Sequence, residues 1–244
     1  MVPESRRHHA HGGLRTAAVA VLAVATFTAC APRRIEPAAP PASPATTMLE
    51  LPRGARVFVV DAGRSAVSLR VYRAGPLARL GHDHVITAQA IAGRAWTAGA
   101  PETSGFELRL PVESFVVDDP AARRAAGPGF ENEVPEDARD GTRRNLLRPE
   151  VLDAARYPEI RVQAASLAGT WDSPVARADV TLRDRTRRLD VPLRLVLGDR
   201  ELVASGSFRV RQSDFGMTPF SVAGGAIQVG DEVDVAFEIR AVAR

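Results

Sequence analysis

From residue 55 onward, apolar and polar side chains alternate one by one, and this period constrains the fold more than any other feature. Val67, Leu69 and Val71 alternate with Ser68, Arg70 and Tyr72. Phe106, Leu108, Leu110 and Val112 do the same with Glu107, Arg109 and Pro111. The pattern returns at Ile160 and Val162, at Val180 and Leu182, at Leu193 to Leu197, at Phe208 and Val210, and from Val233 to Ile239. A strand sends successive side chains to opposite faces, so each segment has one apolar and one polar face. Many such segments separated by turns predict an all-β sandwich or barrel. Closure into an antiparallel barrel of about eight strands removes exposed edges and turns every apolar face inward. With 45% hydrophobic residues but only 5% aromatic, that interior is mainly aliphatic.

Turn chemistry separates the strands. Asp61 to Arg64 joins the first two. Asp184 to Arg187 and Gly198 to Arg200 read as tight hairpin turns. Ala204-Ser205-Gly206 falls inside an alternating strand, where small residues mark a close packing point or a bulge. Residues 118–157 break the period. They are rich in charge, Gly and Pro, and Glu136 to Leu147 and Pro149 to Ala155 favour helix. A loop of this size inside a compact domain is usually functional or mobile. The residues just after Leu77 show no clear period.

Charge excludes one class of partner. Six of the 32 Arg and three of the 29 acids precede residue 55, which leaves 26 of each in the rest of the chain. A domain with no net positive charge lacks the electrostatic footprint of a nucleic-acid binder. The single cysteine, Cys30, rules out an internal disulfide.

The N-terminus reads as an address. Arg6, Arg7 and Arg15 precede an apolar run, Thr16 to Thr28, too short to span a bilayer and suited to a signal peptide. Phe27-Thr28-Ala29-Cys30 resembles a lipobox. Residues 1–30 are therefore expected to be a signal peptide of lipoprotein type, with Cys30 lipidated. Residues 31–54, dominated by Ala and Pro, form a semi-extended linker. Residues 55–244 form the domain. The expected location is the periplasm or cell envelope, with membrane attachment through the N-terminal lipid.

Several short motifs follow one another along the domain in the order of one known family. Asp61 with Ser65-Ala66-Val67 matches the first hairpin. Asn145 to Pro149, then Tyr157-Pro158-Glu159-Ile160, matches a helix turn and the start of the next strand. Asp179 to Leu182 with Thr186-Arg187 matches a later hairpin. Gln212-Ser213-Asp214-Phe215-Gly216-Met217 is similar to an Arg-Ser-Asp-Phe-Gly signature, with Gln212 in place of Arg, and Asp231-Glu232-Val233 to the start of the final strand. The Gly81-His82-Asp83-His84 motif resembles one branch of the family. Together these motifs resemble the YceI-like family of exported, lipocalin-like barrels, and the resemblance implies binding of a polyisoprenoid or other long-chain lipid in the barrel. No cofactor is expected beyond such a bound isoprenoid or fatty ligand.

Inward positions Phe106, Leu108, Leu182 and Phe208 are the expected lining. Phe215 and Met217 either line the pocket mouth or plug one end of the barrel. His82 and His84 are the domain's histidines. At i and i+2 on extended backbone they share one face, with Asp83 on the other. Three roles remain open for them: a turn tied to backbone, contact with a ligand's head, or half of a metal site. The acidic pairs and clusters at Asp118-Asp119 and Glu131 to Glu136 read as solvated loop. No Gly-x-Ser-x-Gly elbow is present, so binding is expected in preference to catalysis. The alternatives are a metal- or redox-linked protein using His82 and His84, and a structural lipoprotein with a filled barrel.

Overall fold

A computed structural model describes residues 48–244. The expected signal peptide with Cys30, and the linker up to residue 47, lie outside the described residues. In chain order the strands are β1 (Arg56–Val60), β2 (Ala66–Ala74), β3 (His84–Ala88), β4 (Ala92–Ala98), β5 (Ala100–Pro111) and β6 (Phe115–Val117). Helices α1 (Pro120–Ala126) and α2 (Glu136–Leu146) follow. Then come β7 (Glu159–Ala164), β8 (Leu167–Thr170), β9 (Ser173–Leu182), β10 (Arg185–Pro192), β11 (Arg194–Leu197), β12 (Glu201–Arg211), β13 (Ser221–Val222) and β14 (Ile227–Ala243).

All pairings are antiparallel, and their pattern closes the sheet on itself. β1 pairs β4 while β2 pairs β3, and β4 pairs β5 while β3 pairs β6. β1–β2, β3–β4 and β5–β6 are thus three bent strands. The first bend is a 3-10 turn at Ala62–Arg64, where the sequence places a turn. From β5 the ladder runs to β7 and β9, then to β10. Only Leu193 separates β10 from β11, which pairs β12. β12 pairs β14, and β14 pairs both β1 and β2. Counting each bent strand once gives β1–β2, β3–β4, β5–β6, β7, β9, β10–β11, β12 and β14, an antiparallel ring of eight. The expected all-β barrel with a helical excursion is the observed fold.

The seam at Leu193 depends on a small residue opposite. The Leu193 N–H donates to the Pro174 carbonyl at 2.8 Å. A Cβ on Gly206 would lie 2.8 Å from the Pro192 carbonyl oxygen and 2.9 Å from Phe237 Cζ. Backbone and ring approach there because Gly206 has no side chain.

Alternation explains which side chains are buried. In β9, Pro174, Ala176, Ala178, Val180 and Leu182 are buried while the residues between them are more exposed. The main core joins Ile86, Leu110, Phe115, Val180, Leu182 and Ile239 across the ring. Each such apolar side chain contributes about 1.5–3 kcal/mol on full burial.

Three local expectations are corrected. The hairpin after Leu182 turns at Arg183-Asp184, with Arg183 at φ 57°, and Arg185 to Arg187 already belong to the ladder. Residues 149–155 form successive turns and not a second helix. The helix that accompanies α2 is instead α1, where Asp119 accepts hydrogen bonds from the Ala121 and Ala122 N–H groups and Pro120 takes the first position. That is the favoured chemistry of a helix start.

Candidate functional site

The barrel is hollow, and its interior is divided into two abutting chambers. The inner chamber has a free volume of about 170 Å³. Its wall includes Val67, Phe106, Leu108, Ala178, Phe208 and Phe237 and contains no charged residue. A single water needs only about 10–15 Å³ of such space. The outer chamber has about 250 Å³ and lies where α2 and the chain around Met217 and Phe220 meet the ends of β2, β12 and β14. Leu69, Phe115, Ile160, Leu182 and Val210 form walls of both chambers. These volumes oppose the filled-barrel reading.

Both tryptophans of the chain, Trp96 and Trp171, line the inner chamber. Trp96 is buried, and its indole Nε1 has no hydrogen-bond partner among the described residues. It sits in the wall with Thr97 and Ser104, the chamber's few polar side chains.

The outer chamber is polar where the inner one is not. His82, His84, Arg73, Thr142 and Asn145 face it, and among the described residues no Asp or Glu does. His82 and His84 share this wall with ring centroids 6.2 Å apart. Asp83 between them turns away, and its Oδ1 accepts from the Arg73 backbone N–H at 2.8 Å. Extended backbone at the start of β3 produces this alternation.

His84 is held from behind. Its Nδ1 lies 2.6 Å from Asp118 Oδ2. The other carboxylate oxygen accepts from the Val85 N–H at 2.9 Å and from Arg123 Nη1 at 2.6 Å. Arg123 also donates to the Asp83 carbonyl at 2.8 Å and to the Asn132 carbonyl at 3.0 Å. Asp118 is 1% exposed and sits at φ 53°, in the left-handed region that Asp tolerates better than most residues. Burial alone would raise its pKa. The hydrogen bonds from His84, the Val85 N–H and Arg123 outweigh burial and hold the carboxyl below its usual range. An ionised carboxylate only accepts, so Nδ1 of His84 carries the proton. Nε2 is left to the chamber side, 3.5 Å from Thr142 Oγ1.

The structure thus separates the residues singled out from sequence. Phe106, Leu108 and Phe208 line the inner chamber, Leu182 lines both, and His82, His84 and Met217 line the outer one. Phe215 does not join them. It is 1% exposed, packs in the main core and forms part of neither wall. Asp118 is not solvated loop; it is the most buried carboxylate of the site. Sequence reading missed Asp118, Arg123 and Thr142. The Asp119-Pro120 pair, a helix start, was the available signal that residue 118 ends a strand at a structured corner. Among the described residues, no group of three or more His, Cys, Asp or Glu could hold a metal ion.

Comparison with solved structures returns BcnA of Burkholderia cenocepacia at 14% identity, covering 74% of this chain and 98% of that one with a TM-score of 0.54. A polyisoprenoid-binding domain from Saccharophagus degradans is 14% identical over 77% of this chain and 98% of its own, with a TM-score of 0.49. A Campylobacter jejuni YceI protein is 11% identical, covering 65% of this chain and 84% of that one, at 0.46. The first of these likenesses shows the shared fold. Comparison with curated proteins returns no match. The profile of the YceI-like domain matches residues 58–241, three quarters of the chain, and the chain belongs to that family.

Proposed function

We propose that this protein binds one long-chain amphiphile, of isoprenoid or fatty type, and carries or sequesters it in the cell envelope. The observation that carries this reading is the pairing of a chamber free of charge with a second chamber that holds the polar groups. An apolar chain gains roughly 0.8 kcal/mol for each CH₂ it buries. Such a site needs only a few polar groups to orient the ligand's head. His82, His84, Thr142 and Asn145 supply them on the outer side.

The two tryptophans give a direct test, because both line the inner chamber. A fluorescent polyene fatty acid seated there accepts energy from them. Saturable transfer at one equivalent is the expected result, and its loss in Leu108→Arg should follow from placing a charge on an apolar wall. No transfer to the wild-type protein at any concentration would count against the reading.

The same reading takes the chain as exported and Cys30 as its lipidation site. Cys30→Ser should move the protein from the membrane to the soluble fraction and abolish labelling by a palmitate analogue. Equal membrane association and labelling in the variant would remove Cys30 from that role.

A further inference from the structure

The inner chamber has a definite far end, opposite the outer chamber. Along β9, Ala176, Ala178, Val180 and Leu182 line it, and Leu182 also borders the outer chamber. On β12 the lining runs from Leu202 to Val210, which likewise borders the outer chamber. On β1, Val60 lines the chamber, and Phe58, the next residue on the same face, does not. Phe58 is fully buried and packs with Leu202 and Ala241 in a cluster separate from the main core. Its register neighbour on β4, Ala95, lines the chamber. The guanidinium of the exposed Arg56 stacks on the Phe58 ring, 4.9 Å from its centroid. Trp171, in the turn between β8 and β9, lines the same end from the other wall.

We propose that this end is a stop, and that Phe58, backed by Arg56, sets the longest chain the barrel takes. The assignment rests on the lipid-binding reading and adds a length limit to it. At about 3.4 Å per residue, Ala176 to Leu182 spans about 20 Å of strand and Leu202 to Val210 about 27 Å. A strand tilt of about 35–45° turns these into about 14–22 Å along the barrel axis. An extended chain advances about 1.3 Å per carbon, given carbon–carbon bonds near 1.5 Å, so the inner chamber holds about 11–17 carbons. A longer chain has two ways to place the excess. Beyond Phe58 it meets a guanidinium, which hydrocarbon would strip of water without pairing it. Out past the outer chamber, the added carbons stay in water and gain nothing. Either way, carbons beyond the limit bring no affinity.

A series of unbranched saturated carboxylates with one head isolates the chain. Each competes with the fluorescent polyene fatty acid on the whole protein, at lengths from about 8 to 24 carbons, and affinity should rise about fourfold per added carbon. The rise should stop at about 18 carbons, since the outer chamber takes the carbons next to the head. Phe58→Ala removes the stop and should move the break to chains longer by about two carbons or more. Ala204→Leu fills the same end and should move it to shorter chains, which keeps the test open where Phe58→Ala does not fold; thermal melts report folding. A rise that continues unbroken through the longest chains overturns the stop while leaving the chain-binding reading intact. A break that stays in place in the folded variants also overturns it. If no chain of any length competes and the fluorescent probe itself does not bind, the lipid-binding reading fails, and the length limit with it.

Discussion

Asp118 and His84 are 34 residues apart in sequence and 2.6 Å apart at their polar atoms. Period two placed His82 and His84 on one face, because that depends only on neighbours in the same strand. It was silent about what stands behind the ring, because a contact between β3 and the corner after β6 is set by strand pairing. The charged run at 118–119 therefore read as solvated, although Asp118 is buried and Asp119 caps a helix. Removing one partner of a buried charge pair costs about 3–5 kcal/mol, and Asn keeps the left-handed backbone and part of the hydrogen bonding, so Asp118→Asn should lose about 3 kcal/mol at neutral pH. Chemical denaturation measures this. The pH dependence has a definite sign. A carboxyl held below its usual value of 3.8 adds stability above that value, and loses it as pH falls through its folded value. The gap between wild type and Asp118→Asn should be full at pH 7 and should shrink below about pH 4. A gap that widens on acidification would mean that the carboxyl is not held ionised.

At the scale of elements, strands with one apolar face were the legible part. β9, β12 and β14 lie where the alternation runs. The bends were not legible, since a period marks a face and not the partner that each half of a strand finds. β1 and β2 share β14 on one side but pair β4 and β3 on the other, and β10 and β11 pair β9 and β12 across a short break. The excursion was seen, but its first helix was missed: α1 is short and carries Arg123 and Arg124 where an apolar stripe is expected. Gly206 shows the reverse case, where the small triplet 204–206 correctly marked a tight point. Gly206→Val should destabilise the barrel by about 1–3 kcal/mol, because its branched side chain meets a backbone carbonyl and a ring that cannot both move. The loss is read by thermal melting. An unchanged melting temperature would show that the seam between β10–β11 and β12 is loose.

For the molecule as a whole, sequence gave the class of fold and the closed interior, whereas the division of that interior into two chambers came only from the three-dimensional arrangement. Inward residues can fill a barrel or line it, and no one-dimensional pattern distinguishes the two. The hollow interior explains why so many apolar side chains, among them Val67, Leu108 and Phe237, are only partly buried although they face inward. An unliganded apolar chamber forfeits packing contacts, which a bound chain restores. Ligand therefore stabilises the fold by mass action, by about 2.7 kcal/mol at a hundredfold excess over its Kd. Native mass spectrometry of the purified full-length protein tests the central claim most directly. The account predicts a one-to-one complex with a single long-chain lipid, retained from the cell or gained on incubation with farnesyl phosphate or oleate, and a melting temperature that rises with it. A protein that shows only its polypeptide mass after such incubation, with an unshifted melting temperature, would contradict it.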